Sequence, residues 1–250
     1  MDLMNAIERR ISCRAYADVP LTADEFGRIG AMVAEVNAAS GLGIQLLGPR
    51  GDGRTAVDLS AAMFAGPVYA CLAIVGPDDP VTGEKLGYWG EELVLQLTAM
   101  GLGTCWVAGT YNRDTLQIRL GAGDRLWDII PVGHPPKSIP LKQRTIRAGI
   151  RARSKKPEQM VQSDVPYAQL PEWFRAAVAA VGKGPSAINR QPVVFHWRDG
   201  AVTATLSSTR SGLEYNDLGI AKRHFEIAAS AGGIDGRWGF GDGAAFAYEP

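Results

Sequence analysis

The chain has 250 residues, 46% hydrophobic and 21% charged, an ordinary globular composition with ample material for a core. Its 26 Lys and Arg balance its 26 Asp and Glu, which excludes a global electrostatic case for binding nucleic acid or a membrane surface. The cysteines, Cys13, Cys71 and Cys105, are widely spaced and give neither a CxxC nor a metal-ligand pattern. Reduced thiols in a soluble, cytoplasmic protein without a metal are therefore expected. No apolar run reaches the ~18 residues of a membrane span, and "MDLMNAIERR" lacks a hydrophobic signal region.

Along the chain, residues 2–10 predict a short helix and 21–40 a longer one, with Thr22 and Glu25 at capping-box spacing. "GIQLLG" predicts a short strand, "TAVDLSAAMF" a helix, and "PVYACLAIVG" (67–76) a buried strand. A helix is expected over 88–103, ending on glycines, then strands "TCWVAG" (104–109) and "WDIIPVGHP" (127–135). Residues 135–157 form a connecting arm, and Lys137 to Lys156 carries eight Lys or Arg and no Asp or Glu. A helix over 170–182 and the loop "GPSAINRQP" follow. "PVVFHW" and "AVTATLS" then form a hairpin across "RDG". A helix over 216–231 and closing strands "RWGFG" and "AAFAYE" complete the α+β pattern. The order of elements repeats loosely, as in two diverged copies of one fold, 1–162 and 163–250.

Three segments carry chemistry-bearing residues. In "RRISCRAY", Arg10, Ser12 and Arg14 alternate, so an extended backbone puts two guanidiniums and a hydroxyl on one face. That set suits a phosphate or an electron-rich ring edge, although a pair of surface arginines has the same local pattern. "GLGTCWVAG" joins a helix to a strand; a helix cap accounts for Gly101 and Gly103 and less easily for Gly109. "GPSAINRQP" offers Ser186, Asn189 and backbone N–H groups for ligand contacts, and a simple turn at Pro185–Ser186 also accounts for it. His134, His196 and His224 are scattered and read as structural or surface histidines.

Together these motifs resemble the flavin-dependent nitroreductase family. Its Arg-x-Ser-x-Arg segment is matched by Arg10, Ser12 and Arg14, and its Gly-Leu-Gly-(Ser/Thr)-Cys-Trp helix end by "GLGTCW". Its closing strand and basic tail are matched by "IPVGHP" and "RARSKKPEQMV", and its Pro-Ser-x-x-Asn-x-Gln-Pro loop by "PSAINRQP". The order departs from an ordinary member, because the loop stands in the second half, which lacks an Arg-x-Ser-x-Arg segment. Ordinary members are homodimers in which one subunit supplies the arginine face and the other the loop. The chain accordingly resembles a tandem branch, a fused pseudo-dimer with one surviving composite site, competent as a monomer.

The resemblance implies FMN, with NAD(P)H as reductant. Arg10, Ser12, Arg153 and Lys155 would meet the phosphate, and Pro185, Ser186 and Asn189 would approach it or the ribityl chain. Arg14 would lie at the pyrimidine edge, and the backbone of Ala108, Gly109 and Thr110 near N5. Hydride would pass from NAD(P)H through N5 to a small-molecule acceptor, a nitroaromatic or quinone, in a ping-pong cycle, with no catalytic side chain. The alternative is a degenerate relative that binds FMN or another phosphate-bearing ligand without turnover. The family's usual polar residue on the flavin ring has only Arg50 or Arg54 as candidates here.

Overall fold

The computed structural model describes residues 2–51 and 55–249. The N-terminal helix α1 (Leu3–Arg9) precedes α2 (Ala23–Ser40), whose capping box is formed. Thr22 Oγ1 accepts from Glu25 N–H at 3.2 Å, and Glu25 Oε2 accepts from Thr22 N–H at 2.8 Å. Strand β1 (Gln45–Leu47) follows. The expected helix at "TAVDLSAAMF" is instead strand β2 (Asp58–Leu59) and a turn. Here side chains take up the bonds a helix would have made: Thr115 Oγ1 accepts from Asp58 N–H, and Arg50 grips Thr55 O and Asp58 Oδ1.

Strand β3 (Ala70–Pro77) leads into α3 (Pro80–Ala99), which begins well before residue 88. Its start is set by Pro80 and by Asp79, whose carboxylate accepts from Thr82 N–H at 2.9 Å and Thr82 Oγ1 at 2.6 Å. The Thr82 hydroxyl bond is the main reason that the Asp79 carboxyl sits below its ordinary value. Only β4 (Gly103–Thr104) of the expected 104–109 strand is regular, with Val107 adding an isolated bridge to Ile129. Then come β5 (Tyr111–Asn112) and β6 (Asp124–Gly133). The expected connecting arm contains a helix, α4 (Leu141–Arg151), because its residues up to Gly149 are mostly good helix formers. The chain finishes with β7 (Val161–Ser163), α5 (Glu172–Val181), β8 (Val193–Arg198), β9 (Ala201–Leu206), α6 (Glu214–Ala231), β10 (Gly236–Trp238) and β11 (Ala245–Tyr248). At the β8–β9 turn Asp199 and Gly200 both have positive φ, 47° and 83°, as the Asp-Gly hairpin signal requires. Among the described residues no helix is long and apolar enough to cross a membrane, and no group of three or more His, Cys, Asp or Glu is placed to hold a metal.

The chain forms a mixed helix-and-sheet fold that divides into two compact units. The four-stranded unit comprises Arg10–Asp78 and Leu93–Gly149. Its sheet has the order β1-β3-β6-β4, antiparallel throughout, over a core that includes Cys13, Tyr16, Phe64, Cys71, Cys105 and Ile129. Gly66 has φ 81°, and a Cβ there would lie 2.0 Å from Tyr16 O, so only glycine fits.

The five-stranded unit comprises Met1–Arg9, Asp79–Glu92 and Ile150–Pro250. Its sheet has the order β10-β11-β9-β8-β7, antiparallel except for the β7–β8 pair. The inner face packs an aromatic pile around Phe225 of α6, with Phe195 stacked at 5.0 Å and Trp238 and Phe246 edge-on at 5.3 Å. The start of α3 crosses α6 so closely that neither glycine at the crossing has room for a Cβ. A Cβ on Gly219 would lie 1.9 Å from Glu84 O, and one on Gly87 would lie 2.1 Å from Asn216 O. That closeness draws polar groups of the two helices together in the interior: Lys222 with Glu84, Arg223 with Glu92, and His224 with Glu91.

Candidate functional site

In the four-stranded unit the first two motifs are neighbours. Ser12 forms a parallel bridge with Thr104, and Cys13 N–H donates to Thr104 O at 2.7 Å. Gly103 permits this approach, since a Cβ there would lie 2.6 Å from Cys13 Sγ. Burial alternates along this segment, with Ser12 and Arg14 half-buried and Cys13 and Ala15 buried. Burial pushes the Cys105 thiol up, while Arg14, Arg10 and a hydrogen bond from Ser12 pull the other way, so these side chains share one neighbourhood. The backbone beneath Arg14 is fixed. Its carbonyl accepts from Ala65 N–H at 2.9 Å and from Gln143 Nε2 at 3.1 Å. Its guanidinium keeps an open donor: Arg14 Nη1 is buried and has no hydrogen-bond partner among the described residues. A buried N–H without an acceptor costs about 1–3 kcal/mol, more for a charged group. This donor fits an oxyanion or ring acceptor supplied from outside the chain. Ala108, Gly109 and Thr110 lie in an exposed bend after Val107, where Thr110 O accepts from Ser60 N–H.

In the five-stranded unit "GPSAINRQP" is a strained, side-chain-laced loop. Ile188, Asn189 and Gln191 have φ of 49°, 55° and 47°, a left-handed conformation that is unfavourable for a β-branched residue. Its polar groups hold it in place. Gln191 N–H donates to Ser186 Oγ at 3.0 Å, and Asn189 Nδ2 donates to Ile150 O at 3.0 Å and Ser154 Oγ at 3.2 Å. Lys155 N–H donates to Gln191 Oε1 at 2.6 Å, and its Nζ donates to Gln191 O at 2.8 Å. The basic segment after α4 and the loop thus form one clasp, with Lys155 inside it and Arg153 exposed. On the other side, the Asp217 carboxylate accepts from Ala187 N–H at 2.9 Å and 3.2 Å. Pro185, Ser186, Gln191 and Asp217 line a small cavity of about 20 Å³ floored by Val181 and Ile220, room for roughly one water.

The sequence profile of the family described as "putative TM nitroreductase" matches residues 2–229. The chain belongs to this family. Among solved structures, the "putative nitroreductase" of Thermotoga maritima is similar in fold with a TM-score of 0.64. It is 19% identical, and the match covers 100% of this chain and 95% of that one. A nitroreductase family protein from Clostridium difficile gives 0.46 at 16% identity, over 68% of this chain and 100% of that one. An FMN-dependent nitroreductase from the same organism gives 0.40 at 15% identity, over 54% and 88%. No curated protein matches the sequence.

Sequence reasoning missed several residues packed around the "GPSAINRQP" loop. Asp217, near the start of the helix expected over 216–231, is 5% exposed and anchors the loop. Glu214 is also buried at that helix start, accepting from Ser211 Oγ at 2.8 Å and facing Arg190 at 3.6 Å. Asn216, 2% exposed, has neither side-chain polar atom partnered among the described residues. Gln191 was legible only as part of the motif. Of the ring-partner candidates, Arg50 is committed to Thr55 and Asp58, and Arg54 lies outside the described residues.

Ile188 is 84% exposed at its left-handed position, so its side chain gains little to offset the strain. Ile188→Gly should raise folding stability by ~0.5–1 kcal/mol in chemical denaturation. A loss of stability instead would mean that the side chain makes a stabilising contact in the folded chain.

Proposed function

We propose that the chain is an FMN-dependent oxidoreductase that takes electrons from NAD(P)H and passes them to a nitroaromatic, quinone or similar small acceptor in a ping-pong cycle. The observation that carries this reading is the buried, unpartnered Arg14 Nη1 on the segment paired with "GTCW". When bound, FMN supplies two-electron acceptance from a nicotinamide and donation to the acceptor. The protein supplies binding, orientation and charge. Arg14 directs a fixed cation at the cofactor's electron-rich edge, which stabilises negative charge there. Arg10, Ser12 and the backbone of Ala108, Gly109 and Thr110 complete the set from the four-stranded unit. Arg153, Lys155, Pro185, Ser186 and Asn189 form the set from the five-stranded unit, where the clasp of Lys155, Asn189 and Gln191 orders the loop in advance of binding. No side chain is assigned as nucleophile, acid or base.

The same reading makes 1–162 and 163–250 two nitroreductase-like halves of a pseudo-dimer, active in the cytoplasm as a monomer. Interleaving of the compact units supports it. Segments early in the chain, Met1–Arg9 and Asp79–Glu92, cluster with residues 150–250, as exchanged elements of a dimer do.

The purified protein is expected to be yellow, to bind added FMN, and to be bleached by NAD(P)H. Arg14→Ala should weaken FMN binding tenfold to a hundredfold, the ~1.5–3 kcal/mol of a hydrogen bond from a charged donor. Equal affinity in parent and variant would remove the observation on which the cofactor assignment rests. FMN bound but never bleached would favour the binding-only relative, and a requirement for dimers in sedimentation would overturn the pseudo-dimer.

A further inference from the structure

The five-stranded sheet has a second face that α5 and α6 do not cover. Along β8 and β9 the buried residues Val193, Phe195, Val202 and Ala204 alternate with Val194, His196, Thr203 and Thr205, which are partly exposed. On this open face His196 stands opposite Thr203, and Arg198 opposite Ala201. A depression of about 270 Å³ is lined by His196, Arg198, Ala201, Thr203 and Thr205. That size falls near the lower end of small-molecule sites, which are mostly apolar with a few convergent polar groups. The floor has this character: small side chains line it, with Ala201 opposite Arg198, Thr203 opposite His196 and Thr205 opposite Val194. His196 Nε2 and Thr205 Oγ1 are 2.7 Å apart, which fixes the ring.

The charges here have no use within the fold. Arg198 is exposed and has no carboxylate at ion-pair distance among the described residues, and the same holds for Arg237 opposite Ala247 on β10 and β11. The Asp242 carboxylate, which also acts on His196, is engaged by Leu206 N–H at 2.8 Å. Burial, and then Arg198, hold the imidazole below its ordinary value, so it serves as a neutral hydrogen-bonding group. A second copy of this chain, related by a two-fold axis, would bring the like charges of this face together.

We propose that this depression binds a small organic anion, its oxyanion group at Arg198 and its apolar body on Ala201 and the methyls of Thr203 and Thr205. The site is separate from the cofactor residues proposed above and does not depend on them. The head group is a carboxylate or a phosphate monoester, both of which a guanidinium recognises with two parallel N–H bonds.

Proton NMR of the full chain provides the test. The chain has three histidines, and the His196 ring resonances are assigned by their loss in His196→Gln. Benzoate or phenyl phosphate is expected to shift them saturably at millimolar or lower concentration, the more effective probe identifying the head group. Benzamide, of the same shape without the charge, should leave them in place. Arg198→Ala, an exposed substitution outside the proposed flavin residues, should weaken binding at least tenfold. The proposal fails if neither anion shifts His196, if Arg198→Ala binds as the parent does, or if benzamide matches benzoate. Inorganic phosphate saturating as tightly as phenyl phosphate would also overturn it, since the apolar floor would then contribute nothing.

Discussion

Lys222→Ala should lower folding stability by about 3–5 kcal/mol, a large part of the 5–15 kcal/mol typical of a domain. Lys222 is 0% exposed, and its ammonium donates to Glu84, to Gly239 O at 3.0 Å and to Gly241 O at 3.1 Å. All of its N–H groups are thus used. Glu84 is 1% exposed, and its second oxygen accepts from Gly241 N–H at 2.6 Å. Removing the lysine strands a buried carboxylate and two carbonyls, and unpaired buried charge is among the most destabilising changes a fold can suffer. Burial lowers the Lys222 ammonium from its ordinary value, while Glu84 acts to raise it. The pair is therefore a specifying feature more than a net source of stability. The double variant Lys222→Met with Glu84→Leu should recover most of the loss, because neither charge is then left alone. Urea denaturation of parent, single and double variants measures this. If Lys222→Ala lost less than about 1 kcal/mol, the Glu84 carboxylate would not be left buried and unpaired by the loss of the lysine.

Asp217→Asn should stabilise the protein at pH 8 and leave it near the parent at pH 4. Burial raises the Asp217 carboxyl from 3.8 to about 7, with Glu214 adding to the rise and Ala187 N–H and Arg190 opposing it. Folding therefore takes up a proton between these values. The contribution of Asp217 to stability is full below about pH 4, and up to about 4 kcal/mol of it is lost as pH rises through 7. Asparagine keeps an oxygen for Ala187 N–H and does not titrate, so the gap between the proteins should widen from pH 4 and level off above 7. A gap that is flat with pH would show that Asp217 is already ionised in the folded chain at acid pH. Because Asp217 holds Ala187, the same titration bears on the order of the "GPSAINRQP" loop.

How much of this was legible follows from how local each signal is. The Thr22 capping box and the Asp199–Gly200 turn are complete within a few residues, and both form as expected. "TAVDLSAAMF" has helical spacing, but its bonds go to Arg50 and Thr115, partners the periodicity does not contain. The motif residues were readable as a set, and Ser12 does pair with Thr104. What they bond to was not: Asn189 holds Ile150 O, and Lys155 holds Gln191. The charges of α6 were the least legible. The sequence assigns Lys222 no role within the helix expected over 216–231, and its partner Glu84 is 138 positions away, across a crossing that Gly87 and Gly219 permit.

The interleaved division of the chain has a consequence for synthesis. The four-stranded unit ends at Gly149, so all of its segments exist before residues 150–250 are made. The five-stranded unit draws on both ends of the chain, and α1 and the start of α3 must wait for β8, β9 and α6. Until then Glu84, Glu91 and Glu92 remain hydrated carboxylates without Lys222, His224 and Arg223. The ribosome therefore releases a protein whose most deeply buried charges are the last to be neutralised, and a truncated product would expose them to solvent rather than to each other.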